Sequence, residues 1–208
     1  MKKAIVVING KGGIGKDTLV DVIDKTPNCF VWNASSITPI AKMCKREGIY
    51  RGEKDLAYRH MLADIKHAVD AYYKEKTGIG FTTHELMTDI EAWLEDTKRT
   101  NILPYSLLSR KDVNVPFASS VLFIHIREPE NITEFLREAK AKLEEDGEND
   151  VILTTLLIRS NRSLESYGNT SDDGVEDFDY EHIYESKNGI NEDAESFRKM
   201  FFSEIMGE

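Results

Sequence analysis

The chain has 208 residues and a mass of 23.7 kDa; 40% of the residues are hydrophobic and 31% are charged. This balance excludes a wholly disordered chain, and no apolar stretch approaches the roughly 18 residues of a membrane span. With 27 basic against 37 acidic residues, the net charge is −10, which argues against a duplex nucleic acid as partner. Two cysteines are too few for a disulfide framework and suit a reducing environment. We therefore expect a cytoplasmic protein without a membrane span, which binds phosphates only at a local site.

A glycine-rich segment follows the first apolar run. Residues 3–8 (KAIVVI) form a run that is apolar after Lys3 and rich in β-branched side chains, which predicts a strand buried on both faces of a parallel sheet. Gly10, Gly15 and Lys16 then satisfy the Walker A pattern G-x-x-x-x-G-K, and a helical pattern follows. In such a loop successive backbone N–H groups point at one phosphate, and the lysine reaches the β- and γ-phosphates. The predicted ATP-binding residues are Gly10, Lys11, Gly12, Gly13, Ile14, Gly15, Lys16, Asp17 and Thr18.

One position of this loop departs from the usual pattern. The residue after the lysine is normally Ser or Thr, whose hydroxyl helps to hold Mg²⁺, whereas this chain has Asp17 followed by Thr18. A carboxylate is favourable in the first turn of a helix and can bind Mg²⁺ directly or through water. We therefore predict ATP and Mg²⁺ as the cofactors, with Asp17 and Thr18 as metal ligands.

The ending G-K-D-T, residues 15–18, resembles the phosphate loop of bacteriophage and bacterial deoxynucleoside monophosphate kinases. Related GKD loops occur in animal phosphomevalonate kinases. A second resemblance competes with the first, because KGGIGK at 11–16 is similar to the loop of dimeric partition-type ATPases, in which the first lysine reaches across a dimer. The acidic switch segments expected of that family after later strands are not found. The first resemblance is therefore favoured, and a homodimer stays open.

The kinase resemblance implies the architecture of the whole chain. We expect an α/β fold of the three-layer P-loop NTPase type, with a mostly parallel five-stranded sheet, helices on both faces and a helical insertion. The core would comprise residues 1–50 and 119–208 of a single domain. The insertion, at about 51–118, would bind the acceptor, and a polar loop at about 159–179 would serve as a lid.

Four arginines complete the predicted site. Arg59, in Y-R-H-M-L, resembles the Y-R-x-L-L arginine that these kinases aim at the acceptor phosphate. Arg127 follows a predicted strand, and a cation at the carboxyl end of a parallel strand faces the ligand crevice. Arg159 and Arg162 follow the next strand and are placed to neutralise phosphate oxygens during transfer, as lid arginines do. Lys16, Arg127, Arg159 and Arg162 are thus the predicted catalytic residues, and Arg59 and Arg127 the predicted acceptor-binding residues. The alternatives are a structural ion pair with a neighbouring helix for Arg127 and a solvated surface side chain for each of the other three arginines.

His125 is the main departure from the resembled family. These kinases carry D-x-R at this strand end, whereas this chain has His125 two residues before Arg127. The change removes a metal or acceptor contact unless Asp17 or Glu128 supplies it. The resemblance implies ATP-dependent phosphoryl transfer to a small phosphorylated acceptor, first of all a (deoxy)nucleoside monophosphate. A partition-type switch ATPase and a nucleotide-binding protein that has lost transfer remain open alternatives.

Overall fold

The computed structural model describes residues 1–50, 52, 56–102, 117–160, 174–186 and 190–207. Over these residues the chain forms five strands and six α-helices. The strands are β1 (Lys2–Asn9), β2 (Cys29–Ser35), β3 (Ser119–His125), β4 (Val151–Ser160) and β5 (His182–Ser186). The helices are α1 (Lys16–Asp24), α2 (Thr38–Arg46), α3 (Leu56–Thr77), α4 (Phe81–Ile102), α5 (Pro129–Glu145) and α6 (Ile190–Met200), which continues as a π-helical turn, Phe201–Ile205.

The described strands form one parallel sheet in the order β2-β3-β1-β4-β5. The α/β fold class predicted from the sequence is thereby confirmed, and the sheet is entirely parallel where it was expected to be mostly so. Residues 4–8 of the central strand β1 are buried, as a continuous apolar run requires when helices cover both faces. None of the helices in the described ranges is long and apolar enough to cross a membrane.

Helices cover both faces of the sheet and form two cores. On one face α1 and α6 pack through residues such as Leu19 and Phe197. On the other face α5 packs beside α4, whose Trp93 is fully buried and donates a hydrogen bond of 2.9 Å to Ser120 Oγ. The sequence placed α4 inside the acceptor-binding insertion. In the structure its buried residues, such as Ile90 and Trp93, belong to the same hydrophobic cluster as Ile5 of the sheet, so α4 is also a core helix. Helix α3 instead packs on α2 and α4, around Leu62.

The strand order determines where a crevice opens. The chain leaves β1 through α1 and runs toward the edge of the sheet formed by β2. It leaves β3 through α5 and runs to β4, toward the opposite edge. Because β1 and β3 are neighbours, their connections diverge and leave a space outside their carboxyl ends. The segments that follow these two strands, 10–15 and 126–128, are those in which the sequence predicted the phosphate loop and Arg127.

Candidate functional site

A cleft of about 820 Å³ opens at the carboxyl ends of β1, β2 and β3. The phosphate loop and the first turn of α1 border it on one side, and the middle of α3 borders it on another. Charged side chains of both signs line it within the described structure, namely the cations Lys16, Arg59, Lys66 and Arg127 and the carboxylates Asp17 and Glu128. The cleft is therefore locally positive although the whole chain carries a net charge of −10. Such a site concentrates anionic ligands.

The phosphate loop has backbone conformations that require glycine. Gly10, Gly13 and Gly15 have φ angles of 145°, 76° and 92°, in the region that side chains disfavour. A Cβ atom added to Gly10 would lie only 2.6 Å from the carbonyl oxygen of Ile158, in β4. The loop thus packs tightly against the neighbouring strand, and its glycines let the backbone curl at the entrance of α1. This is the close backbone cradle that a phosphate group requires.

The first turn of α1 presents the remaining predicted donor-binding groups. The Lys16 ammonium donates hydrogen bonds to the carbonyl oxygens of Gly10 and, at 3.0 Å, of Lys11. Asp17 and Thr18 are exposed and line the cleft. Their carboxylate and hydroxyl oxygens fit the oxygen ligands that Mg²⁺ takes. No cluster of three or more His, Cys, Asp and Glu suited to a metal occurs in the described ranges, so Mg²⁺ here would also need phosphate and water oxygens.

Two of the predicted arginines come together in the cleft. Arg59 lines it from α3, and Arg127 lines it from the segment directly after β3. The apolar side chains of Leu62 and Ala63 lie on the same wall as Arg59. These arginines are 68 positions apart in the chain. The fold therefore brings to one cleft the two residues that the sequence predicted to bind the acceptor.

Arg159 and Lys11 lie outside the set of described residues that line the cleft. Lys11 Nζ is 3.1 Å from Glu176 Oε1, and Arg159 Nε is 3.6 Å from Glu176 Oε2. A carboxylate from the segment before β5 thus holds both cations at the rim of the phosphate loop. Arg162 and residues 161–173 of the predicted lid-like loop lie outside the described residues.

His125 ends β3 and contributes to the cleft as a neutral imidazole. Its Nε2 is buried and makes no hydrogen bond to any residue that the structure describes. Burial lowers the pKa of His125 to about 4, with Lys16 and Arg127 acting in the same direction and Asp17 against them. At neutral pH this position therefore lacks the negative charge that the aspartate of the resembled kinases would supply.

Lys66 is a cleft residue that the sequence reasoning missed. It is only 1% exposed, and its Nζ lies 3.0 Å from Glu128 Oε2 and 3.6 Å from Asp70 Oδ2. Burial alone would raise the pKa of Glu128, but the Lys66 charge and hydrogen bond outweigh it and hold that pKa below its usual range. The only available sequence signal was weak: Lys66 lies four residues after Leu62 and four before Asp70, on one helical face.

Neither protein-family models nor curated protein sequences offer a relative from which residue roles can be transferred. No protein-family model matches the chain, and no curated protein sequence matches it significantly. The roles of the cleft residues therefore follow from their positions, charges and contacts.

Proposed function

We propose that the protein transfers a phosphoryl group from ATP·Mg²⁺ to a small phosphorylated acceptor, first of all a (deoxy)nucleoside monophosphate. One observation carries the proposal: a single cleft joins a glycine-built phosphate loop to a separate pair of arginines, Arg59 and Arg127. Hydrolysis of ATP would require only the phosphate loop. Transfer to a phosphorylated acceptor requires both, because two anionic groups must be held together against their repulsion.

The donor would bind at the phosphate loop. The backbone N–H groups of residues 10–16 and the N-terminus of α1 would hold its phosphates, and Lys16 would exchange its contacts with loop carbonyls for phosphate oxygens. Asp17 and Thr18 would hold Mg²⁺. When bound, ATP·Mg²⁺ supplies the phosphoryl group, and the metal neutralises part of its charge.

The acceptor would bind between α3 and the end of β3. Arg59 and Arg127 are the cations placed to hold its phosphate, and guanidinium groups match phosphate oxygens in geometry. Leu62 and Ala63 line the same part of the cleft with apolar surface, which would help to exclude water. The protein's contribution would then be alignment and charge neutralisation, as phosphoryl transfer requires.

Arg159 would act from the rim of the phosphate loop. Its present partner, Glu176, also holds Lys11, so both cations would exchange a carboxylate for phosphate oxygens when the donor binds. For Arg162 we propose the role predicted from the sequence, that of a lid arginine which neutralises phosphate oxygens during transfer. Cys29 and Cys44 are buried and form no disulfide bond in the described structure, which accords with the cytoplasm as the setting of the reaction.

A coupled ADP-release assay tests this function. Wild type, Lys16→Ala and Lys25→Ala would be supplied with ATP·Mg²⁺ and a panel of ribo- and deoxynucleoside monophosphates, plus phosphomevalonate. Lys25 directly follows α1 and is exposed, so its variant controls for loss of a lysine near the same helix. We expect one acceptor to stimulate ADP release in wild type and Lys25→Ala and to have no effect on Lys16→Ala. Slow release that ignores every acceptor would overturn the proposal.

A nucleotide-binding protein without transferase activity is the second candidate. The uncharged His125 at the strand end favours it, since the aspartate of the resembled kinases is missing there. Such a protein would bind a fluorescent ATP analogue, lose that binding in Lys16→Ala, and release no ADP with any acceptor. Binding and turnover measured side by side therefore separate the two candidates.

A further inference from the structure

Asn9 is a fully buried amide directly before the phosphate loop. Its Oδ1 accepts a hydrogen bond of 2.8 Å from the backbone N–H of Gly10. Its Nδ2 donates to the carbonyl oxygen of Arg127 at 3.0 Å and to the hydroxyl of Tyr180 at 2.7 Å. The Tyr180 hydroxyl in turn donates to the carbonyl oxygen of Val175 at 2.9 Å. The Asn9 amide thus uses both of its N–H donors and its oxygen.

These contacts join three segments that each carry a group of the proposed site. Gly10 opens the phosphate loop, and Arg127 is a predicted acceptor-binding residue. Val175 precedes Glu176, the carboxylate that pairs with Lys11 and Arg159. The amide therefore connects the donor side, the acceptor side and the rim of the cleft across up to 171 positions of sequence.

Asparagine suits this position in a way that similar residues do not. A buried strand end between apolar neighbours would ordinarily carry an apolar side chain. The Gly10 N–H needs an acceptor and the Arg127 carbonyl needs a donor, and an amide offers both on one short side chain. Aspartate would offer acceptors alone, and leucine of similar size would offer neither.

We propose that Asn9 is a positioning residue for phosphoryl transfer, whose buried amide holds the backbone of Arg127 in place relative to the phosphate loop. This role rests on the proposed function. Asn9 acts through Gly10 and Arg127, so removing its donor should misplace the acceptor-binding group more than the donor-binding loop. Tyr180 extends the same connection to the segment before β5. Burial raises the pKa of its hydroxyl to about 12, so it stays protonated and can donate.

Tyr184 provides a matched control for Tyr180. The two tyrosines are both 7% exposed. The Tyr184 hydroxyl also donates to a backbone carbonyl, that of Asp193, at 3.0 Å, and it lies 2.6 Å from Ser196 Oγ. These partners belong to α6, away from the cleft. Replacing either tyrosine by phenylalanine deletes the same atom, but only Tyr180→Phe touches the connection to Asn9.

The kinetic test compares Asn9→Asp, Tyr180→Phe and Tyr184→Phe with wild type. Asn9→Asp keeps the acceptor for the Gly10 N–H, so ATP affinity should stay within about twofold. Its kcat should fall about 10- to 100-fold and its acceptor KM should rise, as expected for misplaced reacting groups. Tyr180→Phe should lower kcat by a smaller factor. Tyr184→Phe should keep the wild-type kcat and change only the melting temperature.

Hydrogen exchange of the Asn9 side-chain amide supplements the kinetics, because it does not depend on substrate binding. In ¹⁵N spectra of wild type, the Asn9 side-chain amide protons should exchange with solvent far more slowly than those of the exposed Asn33. They should remain slow in Lys16→Ala, since the contacts do not involve nucleotide. If Asn9→Asp does not fold, Asn9→Ser takes its place, because the single hydroxyl of serine cannot replace both N–H donors of the amide.

The outcomes separate the two hypotheses. An active wild type combined with an unaltered kcat and acceptor KM in Asn9→Asp or Asn9→Ser overturns the positioning role alone. Rapid exchange of the Asn9 amide protons overturns it as well. A wild type without acceptor-stimulated turnover overturns the proposed function, and the positioning role falls with it.

Discussion

The buried ammonium of Lys66, in the middle of α3, lies 3.0 Å from the carboxylate of Glu128 at the entrance to α5. This ion pair connects the helix that carries Arg59 to the segment that carries Arg127. Asp70, one turn further along α3, adds a second carboxylate at 3.6 Å from Lys66 and accepts hydrogen bonds from the backbone and hydroxyl of Thr82. The spacing of the two cleft walls that carry Arg59 and Arg127 therefore depends on a network of largely buried charges.

Removing one partner of this pair should cost more stability than removing both. Lys66→Met leaves the Glu128 carboxylate buried without its cation, so we expect a loss of about 3–5 kcal/mol in the free energy of unfolding. Lys66→Met/Glu128→Gln should lose clearly less, since only the Asp70 carboxylate, which also accepts hydrogen bonds from Thr82, then lacks its cation. Urea denaturation at pH 7 measures both. Equal losses in the single and double variants would show that the unpaired Glu128 carboxylate costs the folded state little, against this prediction.

The Gly10→Ala substitution should disable the phosphate loop through a backbone collision. A methyl group there meets the Ile158 carbonyl oxygen at 2.6 Å in addition to the strain of a positive φ. Gly78→Ala is the matched control, because Gly78 has a φ of 91° with nothing within 4 Å. The control should lose about 1–2 kcal/mol of stability and keep wild-type affinity for a fluorescent ATP analogue. Wild-type nucleotide affinity in Gly10→Ala would contradict the proposed donor site.

His125 should make stability depend on pH between about 6.5 and 4. Its folded-state pKa of about 4 lies below the ordinary value of 6.5, so in this window the unfolded chain binds the proton more readily. The free energy of unfolding should therefore fall by about 3 kcal/mol as pH drops from 6.5 to 4. His125→Gln, which stays neutral, should remove that part of the slope. Denaturation curves with the same pH slope in both proteins would refute the burial of a neutral imidazole.

Loss of either cleft arginine should affect the acceptor more than ATP. We expect Arg59→Ala and Arg127→Ala each to raise the acceptor KM about tenfold, the scale of a hydrogen bond to a charged group, with a smaller change in the KM for ATP. Arg137→Ala is the control, because Arg137 is exposed on α5 and pairs with Glu138. Initial-rate measurements with each substrate varied in turn provide both constants. An unchanged acceptor KM would remove that arginine from the acceptor site.

Local patterns in the sequence were sufficient for much of the fold. The apolar run within residues 3–8 predicted a strand buried on both faces, which is β1, because a strand covered on both faces must be apolar on both. The glycine spacing at 10–15 predicted a tightly curled loop, because positive φ angles and close backbone contact demand glycine.

The partners of the charged and polar side chains were decided by tertiary structure alone. Lys66 meets Glu128 across 62 positions, and Asn9 meets Tyr180 across 171. Arg159 lies beside Glu176 rather than in the cleft. Periodicity shows which face of an element is apolar but not which elements become neighbours. That is set by the order β2-β3-β1-β4-β5, which brings the ends of distant strands to one edge and places a buried charge or amide within reach of its partner.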